Sequence, residues 1–157
     1  IYQAIKKLCR AYGVHIHIVT GPGYQGYEAL AEEVEKNEGA SITHATGVIS
    51  SIMERTQLAI TSNGRTVYEL AHMNIPSIVI PQNELECTHS FAREETGFIP
   101  IPPYQAGVSE KQICVALEKL LNESNHRNML IRNMEPYSFR ENKKRVLDEI
   151  LELAKVV

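Results

Sequence analysis

The run Ser62-Asn63-Gly64-Arg65-Thr66, with Glu69 three positions further on, is the part of the sequence best equipped for chemistry. Ser62, Asn63 and Thr66 carry neutral donors, Arg65 a fixed positive charge and Glu69 a carboxylate. Gly64 tolerates the tight turn that such a run needs. Where a turn joins the carboxyl end of a strand to the amino end of a helix, unpaired N–H groups and the positive end of the helix dipole attract anions. A phosphate fits that place. A carboxylate one turn into the helix, on the Arg65–Thr66 side, can accept two hydrogen bonds from a ribose diol. Phosphate and ribose together make a nucleotide. The same residues have a plainer use, with Ser-Asn-Gly capping a helix and Glu69 solvated on its surface, and spacing alone favours that use.

Four further groups invite the same question. Glu86 and His89 stand one turn apart in a helix expected over Glu84–Glu95, so they can face one cleft. Gln82-Asn83 is the capping pair that would start this helix. Imidazole as a group can gain or lose a proton near neutrality, so an acid/base role for His89 is conceivable, although hydrogen bonding to a sugar or phosphate suits it better. Gly21-Pro22-Gly23 is another strand-to-helix turn, either open to close approach by a ligand or a plain loop. His15 and His17 share one strand face. Without a third ligand they read as half-buried, hydrogen-bonded side chains rather than metal ligands. Cys87-x-His89 is the one close Cys/His pair, and a zinc site needs about four ligands, so no metal is expected.

The elements that would position these groups alternate regularly. Leu58–Thr61 is a short apolar run suited to a buried strand. Thr66–Met73 then places Val67, Leu70 and Ala71 on one helical face. Pro76 blocks further helix, and Ser77–Ile80 is a second buried strand closed by Pro81. Strand, helix, strand predicts a parallel pair. Strands at Val14–Thr20, Ala40–His44 and Phe98–Ile101 extend the pattern. Helices at 1–12, 27–36, 49–56, 110–121 and 125–133 fill the gaps, with Ser109 as the cap of the fourth. Tyr24 and Tyr27, beside the Gly21 turn, read as packing residues. The last helix, Phe139–Val157, should turn Val146, Leu147, Ile150, Leu151, Leu153 and Ala154 inward, leaving Arg140, Lys143, Lys144 and Arg145 as a solvated basic face. The class expected is α/β, with a doubly wound, mostly parallel, Rossmann-like sheet whose ligands bind at the carboxyl ends of the strands.

Composition narrows the classes. A chain of 157 residues suits one domain, and 43% hydrophobic with 22% charged residues is ordinary for a globular protein. A net charge of −3 offers no broad attraction to nucleic acid. No apolar run approaches the ~20 residues of a membrane span, and no leader pattern opens the chain. Cys9, Cys87 and Cys114 are few, odd in number and dispersed, which fits a reducing cytoplasm rather than a disulfide framework. An opening at Ile1, directly into a helix, suggests a fragment of a longer protein.

The stretch AITSNGRTVYELAHMNIPSIVIP resembles the donor-binding signature in the C-terminal half of GT-B-type glycosyltransferases. It is most similar to the group containing the N-acetylglucosaminyltransferase of peptidoglycan synthesis, the UDP-sugar hydrolase of pseudaminic acid synthesis and the spore-coat polysaccharide synthesis proteins. Thr66 and Glu69 fall on the Thr and Glu of that pattern, and Pro76 on its Pro. Asn63-Gly64-Arg65 departs from it, since many members carry two small residues there. A second match, Asn83 to Ala92 and on through Glu95-Thr96-Gly97-Phe98, resembles the segment in which a polar residue faces the donor sugar. The resemblance implies that the Ser62–Thr66 turn contacts a donor diphosphate and Glu69 the ribose. It also implies that the Gly21–Gly23 loop lies beside the donor, and that Ala45, Thr46 and Val48 approach the base. Asn83, Glu86 and His89 become candidates for the sugar. The ligand implied is a nucleotide-sugar, most simply a UDP-sugar, with no cofactor and with the base and acceptor site on a missing N-terminal domain. A nucleotide-sugar hydrolase or epimerase, and a non-catalytic assembly module, are the competing expectations.

Overall fold

The computed structural model describes residues 1–154, apart from the side chain of Lys143. The protein is mixed α/β with short parallel strands in open sheets. In chain order its elements are α1 (Tyr2–Ala11), β1 (Ile16–Thr20), α2 (Tyr27–Glu35), β2 (Ala40–His44), α3 (Ile49–Met53), β3 (Ala59–Thr61) and α4 (Thr66–His72). They continue as β4 (Ser77–Val79), α5 (Glu84–Cys87), a 3-10 turn at Glu94–Thr96, β5 (Phe98–Pro100), α6 (Ser109–Asn122), α7 (Ser124–Met134) and α8 (Asn142–Ala154).

All pairings are parallel, as the strand–helix–strand pattern requires. Ala59 faces Ser77 and Thr61 faces Val79, while on the other side of β4 Ser77 faces Phe98 and Val79 faces Pro100. In β1 and β2, Ile16 faces Ala40 and Thr20 faces His44. The expected continuous sheet is divided into two ladders, β1-β2 and β3-β4-β5. Val14 and Ile16 nonetheless pack against the same apolar cluster as Leu58 and Ile60, so the two ladders share a core without sharing backbone bonds.

The three-stranded ladder is covered on both faces. Ile78 joins Ile5 and Cys9 of α1 and Ile113, Leu117 and Leu120 of α6 on one side. Its neighbour Val79 joins Met53 of α3 and Val67, Leu70 and Ala71 of α4 on the other, together with Phe98. The two-residue period of a strand sends adjacent side chains into opposite cores. Ser77, fully buried in the same strand, satisfies its hydroxyl by donating to the Ile75 carbonyl at 2.7 Å.

Three local expectations are corrected. The helix placed over Glu84–Glu95 is one turn of α5, then irregular chain, then the 3-10 turn. Ser109 does not cap α6. It lies inside the helix, and its hydroxyl accepts the Gln105 N–H at 2.9 Å. The apolar side chains of α8 do not turn inward: Val146, Leu147, Ile150, Leu151 and Leu153 are all more than half exposed. Period identifies which side chains share a face, but burial needs an opposing element, and none of the described elements supplies one. The stretch 155–157 of that expected helix, and the Lys143 side chain of its basic face, lie outside the described residues. Among the described residues no helix is long and apolar enough to cross a membrane.

Candidate functional site

The loops after β3 and β4 leave the same edge of the ladder, because parallel strands end together. They meet at Asn63. This residue is 6% exposed, and its carboxamide Nδ2 donates to the carbonyls of Glu86 at 2.8 Å and His89 at 3.0 Å. Its backbone N–H donates to Glu86 Oε2 at 3.2 Å. The Gln82 N–H donates to the same oxygen at 2.9 Å. In return, His89 Nδ1 bonds the Asn63 carbonyl at 2.6 Å. A carbonyl can only accept, so Nδ1 carries the proton and Nε2 is the nitrogen left over. Asn83 caps α5 by accepting the Glu86 N–H at 2.9 Å, the capping role expected of it. Asn63 Oδ1 is buried without a partner.

Next to the cluster lies a hollow of about 350 Å3, lined by Ser62 and Thr61, by Ile60 and Ile80, and by Gln82, Tyr104 and Ile1. Tyr104 closes one side. Its hydroxyl donates to Glu110 Oε1 at 2.5 Å while the Gly107 N–H donates to Oε2 at 2.7 Å. The Tyr104 bond pulls the Glu110 carboxyl below its ordinary pKa and holds the phenol above its own.

The structure thus brings together Ser62, Asn63, Gly64, Asn83, Glu86 and His89. Gly64 belongs through close approach, since a Cβ there would stand 3.4 Å from both Glu86 Oε1 and Ser62 Oγ. Among the described residues, the amides of Gly64, Arg65 and Thr66 find no acceptor. Arg65 and Glu69 are exposed, make no ion pair among the described residues, and line neither this hollow nor a second one near Met53 and Arg127.

The other candidates sit on the β1-β2 ladder. Gly21 and Gly23 have open space where a Cβ would stand and no positive φ, so nothing in the fold itself requires glycine at either. Thr46 Oγ1 accepts the Val48 N–H at 3.2 Å, which fixes the turn after β2, and Val48 is 60% exposed. Ala45, just before it, has φ +50. Tyr27 stacks on His44 with centroids 4.4 Å apart, the packing role expected of it. His15 and His17 are hydrogen-bonded as expected, but exposed rather than half-buried. His15 Nε2 meets Ser41 Oγ at 2.8 Å, and His17 meets Ser41 at 3.0 Å and Thr43 at 2.9 Å. No cluster of three or more His, Cys, Asp or Glu side chains able to hold a metal occurs among the described residues.

Two lining residues were missed as site candidates: Gln82, read from sequence only as half of a capping pair, and Tyr104. Both follow a strand and a proline, at Pro81 and Pro103, and the rule that ligands gather at strand carboxyl ends points to them. No protein-family model matches the chain, and comparison with curated proteins returns no match. The class that the elements define is an α/β protein built on parallel strands.

Proposed function

We propose that this chain is the nucleotide-sugar-binding domain of a glycosyltransferase-like protein, with a doubly wound GT-B C-terminal architecture. One observation carries the reading. Backbone amides from the loops after β3 and β4 converge on an anionic oxygen at the carboxyl edge of a parallel ladder, beside a hollow large enough for part of a small ligand. In this reading the Ser62–Thr66 turn receives the diphosphate and stabilises the leaving nucleotide as the sugar–phosphate bond breaks. Arg65 supplies charge from the side, so no divalent metal is required. Glu69, exposed on α4, takes the ribose only if the nucleoside lies across the amino end of α4 rather than inside the hollow. The nucleophile and its base come from a second domain. The resemblance of Thr66, Glu69 and Pro76 to the donor signature supports the same assignment.

Titration with UDP, CMP and UDP-N-acetylhexosamines tests the proposal. UDP should bind more tightly than CMP, and Glu69→Ala should weaken UDP by about tenfold, the effect of losing hydrogen bonds to a charged group. Absence of any nucleotide binding by the folded chain would contradict the reading and leave an assembly module.

The state of His89 favours a second reading, a hydrolase or epimerase acting on a nucleotide-sugar. With Nδ1–H fixed on the Asn63 carbonyl, Nε2 is oriented and available for proton transfer. Release of free sugar from a UDP-sugar, or its epimerisation, by the isolated chain would select this reading. Loss of that activity in His89→Gln would assign the proton to Nε2.

A further inference from the structure

The groups that could serve a phosphate after β3 and β4 are largely engaged by a carboxylate of the same chain. Two amides from two different loops, Asn63 N–H at 3.2 Å and Gln82 N–H at 2.9 Å, point at one oxygen of Glu86. Its second oxygen rests against Gly64. Bonds from N–H groups to an ionised oxygen are stronger than neutral ones, and the same geometry receives a phosphoryl oxygen equally well. The amides of Gly64, Arg65 and Thr66 follow immediately with no acceptor among the described residues. One anion is already in place, and donors remain for a larger one.

The carboxylate is lightly held. None of the four residues of α5 is buried, and Leu85, its one large apolar side chain, is 70% exposed. From Asn83 to Ser90 only Glu86 is even partly buried. The segment is tied to the body at Asn63, through the two carbonyls it caps, the His89 ring and the Glu86 carboxylate. A neutral hydrogen bond contributes on the order of 1 kcal/mol net, and segments fixed by such bonds without apolar burial open well before a core does.

We propose that Glu86 is the internal occupant of an anion cradle formed by the Asn63 and Gln82 amides, and that a phosphate-bearing ligand binds by displacing this carboxylate and releasing the segment 83–89. The proposal rests on the nucleotide reading above and adds which part of the ligand opens the site. The phosphate, not the base or the sugar, competes with Glu86. Apparent affinity is then reduced by the work of opening, and removing the competitor restores it. A carboxylate serving only to brace the fold predicts the reverse, since its loss would slacken the loops and weaken binding.

Inorganic pyrophosphate and UDP titrated into the wild-type chain and Glu86→Gln separate these cases. The substitution keeps the side chain's shape and removes its charge. Both probes should bind Glu86→Gln about tenfold more tightly than wild type, as expected for relief from competing charge-assisted bonds. Equal or weaker binding by a folded Glu86→Gln, with wild type binding UDP, would overturn the cradle and leave the nucleotide reading standing. No binding of either probe by either protein would overturn both. Amide exchange in the wild-type chain gives a readout that needs no variant. Saturating UDP should speed exchange across 83–89, and added protection there would overturn the displacement.

Discussion

The two ladders of this protein use the same parallel pairing and differ in what covers them. β4 is buried along its whole length, with α1 and α6 on one face and α3 and α4 on the other. β1 alternates. Ile16 and Ile18 are half-buried, while His15, His17 and Val19 look outward from a face where Ser41 and Thr43 hydrogen-bond the imidazoles. Apolar area removed from water is what fixes an element, so the β3-β5 half should carry most of the stability and β1-β2 much less. The polar loops that make the candidate site grow from the rigid half. A rigid scaffold under loosely held loops is the arrangement in which a ligand can displace a segment without disturbing the core.

The largest expected effect tests the rigid half directly. Phe98, fully buried in the core with Val67, Leu70 and Val79, should cost about 3–5 kcal/mol on Phe98→Ala, against less than about 0.5 kcal/mol for Val19→Ala on the open ladder. Urea denaturation of the two variants measures the contrast, and equal losses would erase it. Gly97→Ala should come next, at about 2–4 kcal/mol. Its φ is +92, and a Cβ would collide with the Met134 side chain and stand 2.7 Å from the Leu130 carbonyl. The same denaturation curve reads it.

Asn63→Ala should cost about 1–3 kcal/mol by leaving the His89 carbonyl without its Asn63 donor and the Glu86 carbonyl with only the His89 N–H. Faster amide exchange confined to 83–89, with the β4 amides unchanged, would show that the loops ride on an independent scaffold. Spread of the exchange into β4 would show that they do not.

The smallest effect belongs to the open ladder and to pH. Partial desolvation, then the neighbouring His15 and Arg55, lower the His17 pKa below its ordinary value. The unfolded chain therefore binds more protons between that lowered value and the ordinary one. Stability from this group is present above the ordinary histidine range and is lost as pH falls through it. Exposure to solvent keeps the effect small. Denaturation midpoints across pH 5 to 8 should show a shallow acid loss that His17→Asn removes, and an unchanged slope in the variant would reassign it.

Much of the scaffold was legible because its signals are local. Val67, Leu70 and Ala71 share a helical face, and Pro76 ends the helix that carries them, so α4 and β4 follow from period and proline alone. The helix expected over Glu84–Glu95 failed for a non-local reason. The His89 carbonyl, which a longer helix would use, accepts from Asn63, more than 20 residues away, and the Glu86 carbonyl is shared between Asn63 and the His89 N–H. The α8 face failed because periodicity says nothing of what lies opposite. At the site, the sequence named Asn63, Glu86 and His89 from their chemistry, but their mutual bonding is a product of two strands ending side by side. Residues on the other ladder, Gly21 and Gly23 offered by their turn chemistry and Thr46 and Val48 by resemblance, have no contact among the described residues that ties them to the Asn63 cluster.

Phosphate is the part of the ligand that the β3 and β4 loops are proposed to receive. Calorimetric titration of the folded chain with UDP and, in parallel, with uridine isolates that contribution. Saturable UDP binding, with uridine at least about tenfold weaker, is the predicted result. Equal affinity for the two, or no heat from UDP at all, would contradict it.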